Sequence, residues 1–443
     1  MKTLLLLLLT STIIVGNCQS TDQKKSNFSL KINSPFSYRM LEPNQNLRKV
    51  SILMEEKQKG NLDNSKLIIG TSLIAIGDYQ YSNADSKFAY LMRHPTSNNQ
   101  IGHVVTEAVI HSFQVSLTGN VTSWLSSHAE ILYNPEQSFG TGLITDLERN
   151  QLQLRKGFIA IGDLRKFPIY GALGKMDSPF GQMGSVSPFT NSTIWHAFGG
   201  LCYGAQVSFK KWNIHATLMA AQGGAQFRGM NTLVGDSTNI PSLVNNFTAD
   251  INYTVFFSED ISLNFGGSYL HGSTYNHSFP VKHFEPGIDN NPAVTSYGMF
   301  NYKNRIIVKG GYAKTLKVWE GTHNPTPPLN QFEAFRVSSF DAGASYLFNP
   351  NKNIQYTASF EFSDFVAGPS GSPWERQNQF VLGFSALIKQ SSKLFIEGFR
   401  TDGYAPLNWI SGSNAFEPFP PGVTHSQADA QSYGIVVGCQ ITF

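Results

Sequence analysis

The last twelve residues, SYGIVVGCQITF from Ser432 to Phe443, separate into two phases. Tyr433, Ile435, Val437, Cys439, Ile441 and Phe443 are apolar. Ser432, Gly434, Gly438, Gln440 and Thr442 are small or polar, and Val436 is the exception. Side chains two apart share one face of a strand, so this pattern predicts a strand with one apolar and one polar face. The same alternation recurs from Lys66 onward. It predicts strands near 66–77, 109–119, 122–133, 151–162, 167–176, 198–209, 212–221 and 246–257. It continues near 261–271, 293–302, 304–315, 337–348, 353–363, 378–389, 393–401 and 431–443. In NIQYTASFEF, Ile354, Tyr356, Ala358, Phe360 and Phe362 alternate with Gln355, Thr357, Ser359 and Glu361. Segments of this length suit strands that cross a bilayer at a tilt, which need about 9–11 residues.

The connections alternate too. Short ones, such as Lys210-Lys211 and Tyr302-Lys303, are followed by long ones, such as 177–197 and 402–430. Short turns on one side and long loops on the other characterise an outer-membrane barrel. The fold class expected is all-β: a transmembrane antiparallel β-barrel of about 16 strands over 66–443. A soluble sandwich would not require loops of such unequal length. Every backbone group must pair in lipid, so the last strand must close against the first. That explains a chain ending in mid-strand on Phe443, at a membrane boundary where an aromatic ring is favourable. The ending also resembles the assembly signal of bacterial outer-membrane proteins, which implies the barrel-assembly machinery as a partner.

Before the barrel, Lys2 and the apolar run from Thr3 to Val15 predict a signal peptide over 1–20. Residues 21–65 read as a short periplasmic extension with a helix at about Leu47 to Gln58. Composition agrees with a barrel. Aromatics reach 13% and charged residues only 14% of 443 residues, against roughly 25% charged in soluble domains. A net charge of +3 gives no footprint for nucleic acid. The sequence has no CxxC, HExxH or GxSxG, so neither a metal, a cofactor nor an enzymatic centre is expected. A barrel enzyme or adhesin stays open as another class. His271, His277 and His283 read as solvated loop histidines.

Strand phase nominates lumen residues. With the apolar face toward lipid, His128, Glu130, Arg155, His215, Asp250, Arg305, Lys309, Asp341, Glu361 and Glu397 point inward as pore-lining groups. Such groups set ion preference in a water-filled channel. The loop DGYAPLNWISGSNAFEPFPPG is aromatic for a surface segment. Tyr404, Trp409, Phe416 and Phe419 are its candidate ligand-binding faces, on a loop that could fold inward. The long loops lean acidic and the short turns basic, an arrangement better suited to a cation outside than to an anion.

One stretch resembles a family. In GFIAIGDLRKFPIYGALGKMDSPFGQM, residues 157–183, the residues Gly162, Pro168, Tyr170, Gly174, Lys175, Pro179, Phe180 and Gly181 are similar to the core motif of the LbtU-type siderophore porins. Ile161, Asp163 and Leu164 extend the match. The resemblance covers a small part of the chain, and phosphate-selective porins share some of it. It implies a plug-less barrel in a Gram-negative outer membrane, surrounded by lipid, that takes up an iron species, most naturally a ferric siderophore. The alternatives are a general or ion-selective diffusion porin without a ligand site, or ferrous iron uptake.

Overall fold

In the computed structural model, residues 29–84, 103–134, 151–221, 226–227, 244, 246–275, 291–350, 352–405, 422–424 and 426–443 are described. Sixteen antiparallel strands form the wall: β2 Lys66–Ser82, β3 Val104–Asn120, β4 Leu125–Asn134, β5 Gln151–Ile161, β6 Ile169–Asp177, β7 Gly200–Lys211, β8 Ile214–Ala221, β10 Asn246–Phe256, β11 Ile261–Leu270, β12 Ala293–Tyr302, β13 Ile306–Thr315, β14 Ser338–Leu347, β15 Ile354–Val366, β16 Arg376–Ile388, β17 Ser392–Tyr404 and β18 Gln427–Thr442. A two-residue strand, β9 (Gln226–Phe227), pairs with the start of β7 outside this order. Ser72–Ser82 of β2 pair with Ser432–Thr442 of β18, which closes the barrel.

The phases fall as the alternation requires. Tyr433, Ile435, Val437 and Ile441 are exposed, whereas Ser432, Gln440 and Thr442 are buried. The same outward apolar row continues around the wall, for example at Leu394, Ile396, Leu382, Phe384 and Ile251. An apolar exterior on a closed barrel is the surface that lipid covers. No described helix is long and apolar enough to cross a membrane.

Turn chemistry differs from expectation at one hairpin. The β7–β8 reversal lies at Trp212-Asn213, not Lys210-Lys211. Both residues have positive φ, 55° and 63°, the geometry that matches a two-residue turn to strand twist. Asn accepts this region at low cost. Trp212 is 71% exposed, where a membrane-interface ring belongs.

The largest correction concerns the segment before the barrel. The extension expected in the periplasm folds inside the lumen, so the expected plug-less interior is occupied. Strand β1 (Ser29–Ile32) pairs in parallel with Lys66–Ile69 of β2. Helices α1 (Ser34–Leu41) and α2 (Lys49–Gln58) follow. Asn33 caps α1, its side chain accepting from the Phe36 amide. Phe36, Met40, Leu53 and Met54 are buried in one cluster with wall residues Ile68, Phe158, Tyr170 and Met176. The physical cause is visible in β2: Ile68, Ile74 and Ile76 are apolar yet face inward and are buried. A strand that is apolar on both phases is covered on both faces.

A candidate pore built from the wall and two inner segments

The second lumen occupant is the loop between β6 and β7, residues 178–199. It contains no Asp, Glu, Lys or Arg. Pro179, Phe180 and Gly181 turn it inward; Gly181 has φ +69°, a conformation glycine adopts freely. The Gly181 amide donates to Ser268 Oγ of β11 at 2.9 Å. Phe180 packs on Phe198, with ring centroids 6.1 Å apart. The loop then crosses to the far wall and ends in helix α3 (Thr193–Phe198), all of it buried.

Wall carboxylates hold this loop by its backbone. Glu361 accepts from Ser185 Oγ and from the Val186 amide, both at 2.9 Å. Glu397 accepts from the Phe189 amide at 2.6 Å and from the Thr190 amide at 3.0 Å and hydroxyl at 2.5 Å. Lys309 donates to the Gly184 carbonyl and to Asp341 at 2.6 Å. Lys393 donates to the Pro188 carbonyl at 2.6 Å. Hydrogen bonds to an ionised acceptor are the strong kind, and they place a loop with little freedom.

Other inward groups hold the N-terminal segment. Asp250 receives Arg48 at 2.8 Å, Ser268 at 2.6 Å and the Tyr297 hydroxyl at 2.7 Å. Arg48 also donates to the Gly181 carbonyl at 2.8 Å, joining the two inner segments. Lys210 meets Glu55 at 2.5 Å, and Lys393 meets Glu42 at 3.6 Å. Burial opposes ionisation of Glu42, but Lys393 and Lys49 overcome it and hold the carboxyl below its usual range. Burial likewise opposes Glu55, and Lys210 outweighs it.

The sequence-nominated residues therefore divide. His128, Glu130, Arg155, Asp250, Asp341, Glu361 and Glu397 are buried in contacts between wall and inner segments or within the wall. Glu130 pairs with Arg155 at 3.1 Å, and His128 Nδ1 meets the Thr118 hydroxyl at 2.8 Å. His215, Lys309 and Arg305 border open space, a cavity of about 890 Å³. Arg305 lies in the turn before β13 and is exposed, rather than within the wall. Of the motif residues, Tyr170 hydrogen-bonds His215 at 2.9 Å. Lys175 lies 5.2 Å from the Tyr203 ring. Gly162 and Gly174 have φ of +147° and +138°. The Pro168 carbonyl accepts from the Lys210 amide at 2.8 Å. Tyr404 is 2% exposed and packs with Ala84 and Ala430, so its ring offers no ligand face. Trp409, Phe416 and Phe419 lie outside the described residues, as do His277 and His283. His271 stacks on Phe247 at 5.0 Å.

Alternation did not find Arg48, Glu42 or Glu55. Their wall partners are far away in sequence, 202 residues for Arg48 and Asp250, and no local pattern marks such a pair. Among the described residues, the charged groups bordering the cavity are Arg48, Lys210, Lys211, Arg305, Lys309 and Lys393, with Glu55 and Asp177 as the acidic ones. Asp250, Asp341, Glu361, Glu397 and Glu42 do not border it. Asp250, Asp341 and Glu42 are paired with Arg48, Lys309 and Lys393, and Glu55 with Lys210. The cations of this lining with no carboxylate partner among the described residues are therefore Lys211 and Arg305. Lys211 has its ammonium 4.9 Å from the Trp212 ring.

No family model and no curated protein matches the sequence. Solved structures do match in fold. An anion-selective porin from Comamonas acidovorans aligns over 85% of this chain and 99% of its own, at 11% identity and a TM-score of 0.50. OprB from Pseudomonas putida aligns over 85% of this chain and 94% of its own, at 7% identity and a TM-score of 0.50. At such identity the likeness is one of fold: the sixteen-strand barrel of Gram-negative outer-membrane porins. The lipid-facing belt of this chain places it in the same kind of membrane.

Proposed function

We propose that this outer-membrane channel selects anionic solutes, and that a ferric siderophore is the solute class to test first. The observation that carries the reading is the cavity lining. Among the described residues six cationic and two acidic side chains border it. Arg48, Lys210, Lys309 and Lys393 are paired with carboxylates, so Lys211 and Arg305 carry the excess positive charge. A low-dielectric wall focuses the field of such a cluster and favours an anion over a cation. The lining disfavours ferrous iron, despite the acidic outer loops. About 890 Å³ is the size of a site for a drug-sized molecule. The siderophore assignment rests on the resemblance in residues 157–183, and the cavity's charge and size are compatible with it. A general anion porin is the second reading, favoured by the shared fold and by the basic turns near the cavity.

Reversal potentials across a salt gradient in planar bilayers test the selectivity. The wild type is expected to prefer chloride over potassium. Arg305→Glu combined with Lys211→Glu is expected to shift the preference toward potassium, since neither cation has a carboxylate partner among the described residues. A wild-type preference for potassium would refute the reading.

The assembly machinery is proposed to bind the terminal strand. Phe443 exchanges backbone hydrogen bonds with Thr71 at 2.9 and 3.2 Å, yet its side chain is 62% exposed. Its ring is free for recognition before closure. Phe443→Ala should reduce the fraction of folded, heat-modifiable barrel recovered from membranes while leaving the pore properties of that fraction intact. Undiminished recovery would exclude the terminal ring as a recognition element.

A further inference from the structure

We propose that residues 33–65 are a gate, an internal segment hinged at one point on the periplasmic seam that leaves its seat when solute crosses. The inference rests on the channel reading and adds to it. Both ends of the segment are fixed at the same place. On one side β1 pairs with Lys66–Ile69, with the Ser29 amide bonded to the Ser65 carbonyl at 3.1 Å and Lys66 Nζ to Ser29 Oγ at 2.6 Å. On the other side Lys66 begins β2. The segment is thus an excursion that leaves and re-enters the wall at its base and contributes no strand to the closed barrel between. It can move as one piece without opening the wall.

The seat spans the lumen. Helix α1 packs on β2, β3 and β18. From α2 and the residues before it, ties reach β4 through Lys57 to Ser126 at 2.7 Å, β7 through Glu55 to Lys210, and β10 through Arg48 to Asp250. A segment tied to opposite walls obstructs the passage between them. The ties are charged, and one is partly open to solvent: Lys210 and Glu55 have side-chain exposures of 32% and 29%. The Lys210–Glu55 tie exchanges for water, or for a charged solute, at low cost. Asp250 is fully buried, so the Arg48 tie yields only when a solute supplies replacement partners. The apolar contacts of Phe36, Met40, Leu53 and Met54 return the segment to its seat. Arg48, Ser51 and Glu55 also border the cavity, so a solute there touches the ties themselves.

Single-channel recording of the full chain tests this. The wild type should show long closures, and Arg48→Asp should increase the open fraction severalfold. Arg48→Lys, which keeps a cationic donor facing Asp250, should retain most of the closures, so that the rise in open fraction follows the charge of the tie. If Arg48→Asp does not assemble, Glu55→Gln removes the partly exposed tie and should give a smaller rise in open fraction. Steady full conductance in the wild type, or an open fraction unchanged in whichever folded variant is recorded, would overturn the gate. The reversal potential from the same recordings reports anion selectivity separately, so either proposal can fail alone.

Discussion

Replacing Glu361 and Glu397 together by alanine should release the loop of residues 178–199 and raise conductance severalfold, with the preference for anions kept. These carboxylates are 1% and 0% exposed and accept five of the hydrogen bonds described above, all from residues 185–190. Truncation leaves the amides of Val186, Phe189 and Thr190 without their acceptor, at about 1–3 kcal/mol for each buried donor. It also leaves Lys309 and Lys393 with fewer counter-charges, although Asp341 and Glu42 stay. The loop has no charge of its own and cannot form a replacement ion pair. Glu397→Gln keeps an acceptor of the same shape and should give an intermediate conductance. Bilayer recordings of the three proteins decide the matter, and equal conductance in all of them would show that these carboxylates do not hold the loop.

Gly174→Val should yield no folded barrel. A Cβ at this position would sit 2.2 Å from the Gly157 carbonyl oxygen and 2.8 Å from Phe158 Cα. Backbone cannot yield there without parting β5 from β6, which share only five paired positions, from Gly157↔Lys175 to Ile161↔Gly171. The φ of +138° adds a strain of about 1–3 kcal/mol for a branched residue even before the clash. Gly398→Ala is the matched control: it lies on a wall strand, and nothing lies within 4 Å of its added carbon. Heat-modifiability on gels should show a folded band for the control and none for Gly174→Val. A folded Gly174→Val barrel would mean that the β5–β6 pairing is dispensable.

The wall was legible in the sequence because its physics is local. Each strand must present lipid with an apolar row at period two, so Tyr433 or Ile251 declares its face with no knowledge of its neighbours. Pairing in lipid then dictates closure, and β18 meets β2. The lumen was less legible because its logic is non-local. Inward polar residues were identifiable from phase, but phase does not say whether they face water or a second layer of chain. Glu397 is a pore charge by alternation and an anchor for Thr190 in the structure. Two signals carried the missing information. Ile68, Ile74 and Ile76 are apolar on the inner phase of β2, which demands an apolar cover. Residues 178–199 lack charge altogether, which a solvated outer loop would not. The motif residues Gly174 and Gly181 gained their meaning only once the path of that loop was known: one permits a close strand approach, the other the inward turn.

Uptake at limiting concentration tests the central claim most directly. A strain lacking this gene, and the same strain with it restored, would be given labelled ferric siderophore, ferrous iron and phosphate. A solute-selective channel predicts restored, saturable entry of one anionic solute, the ferric siderophore, with no gain for ferrous iron. Equal and non-saturating entry of all three would contradict it and leave a general diffusion pore.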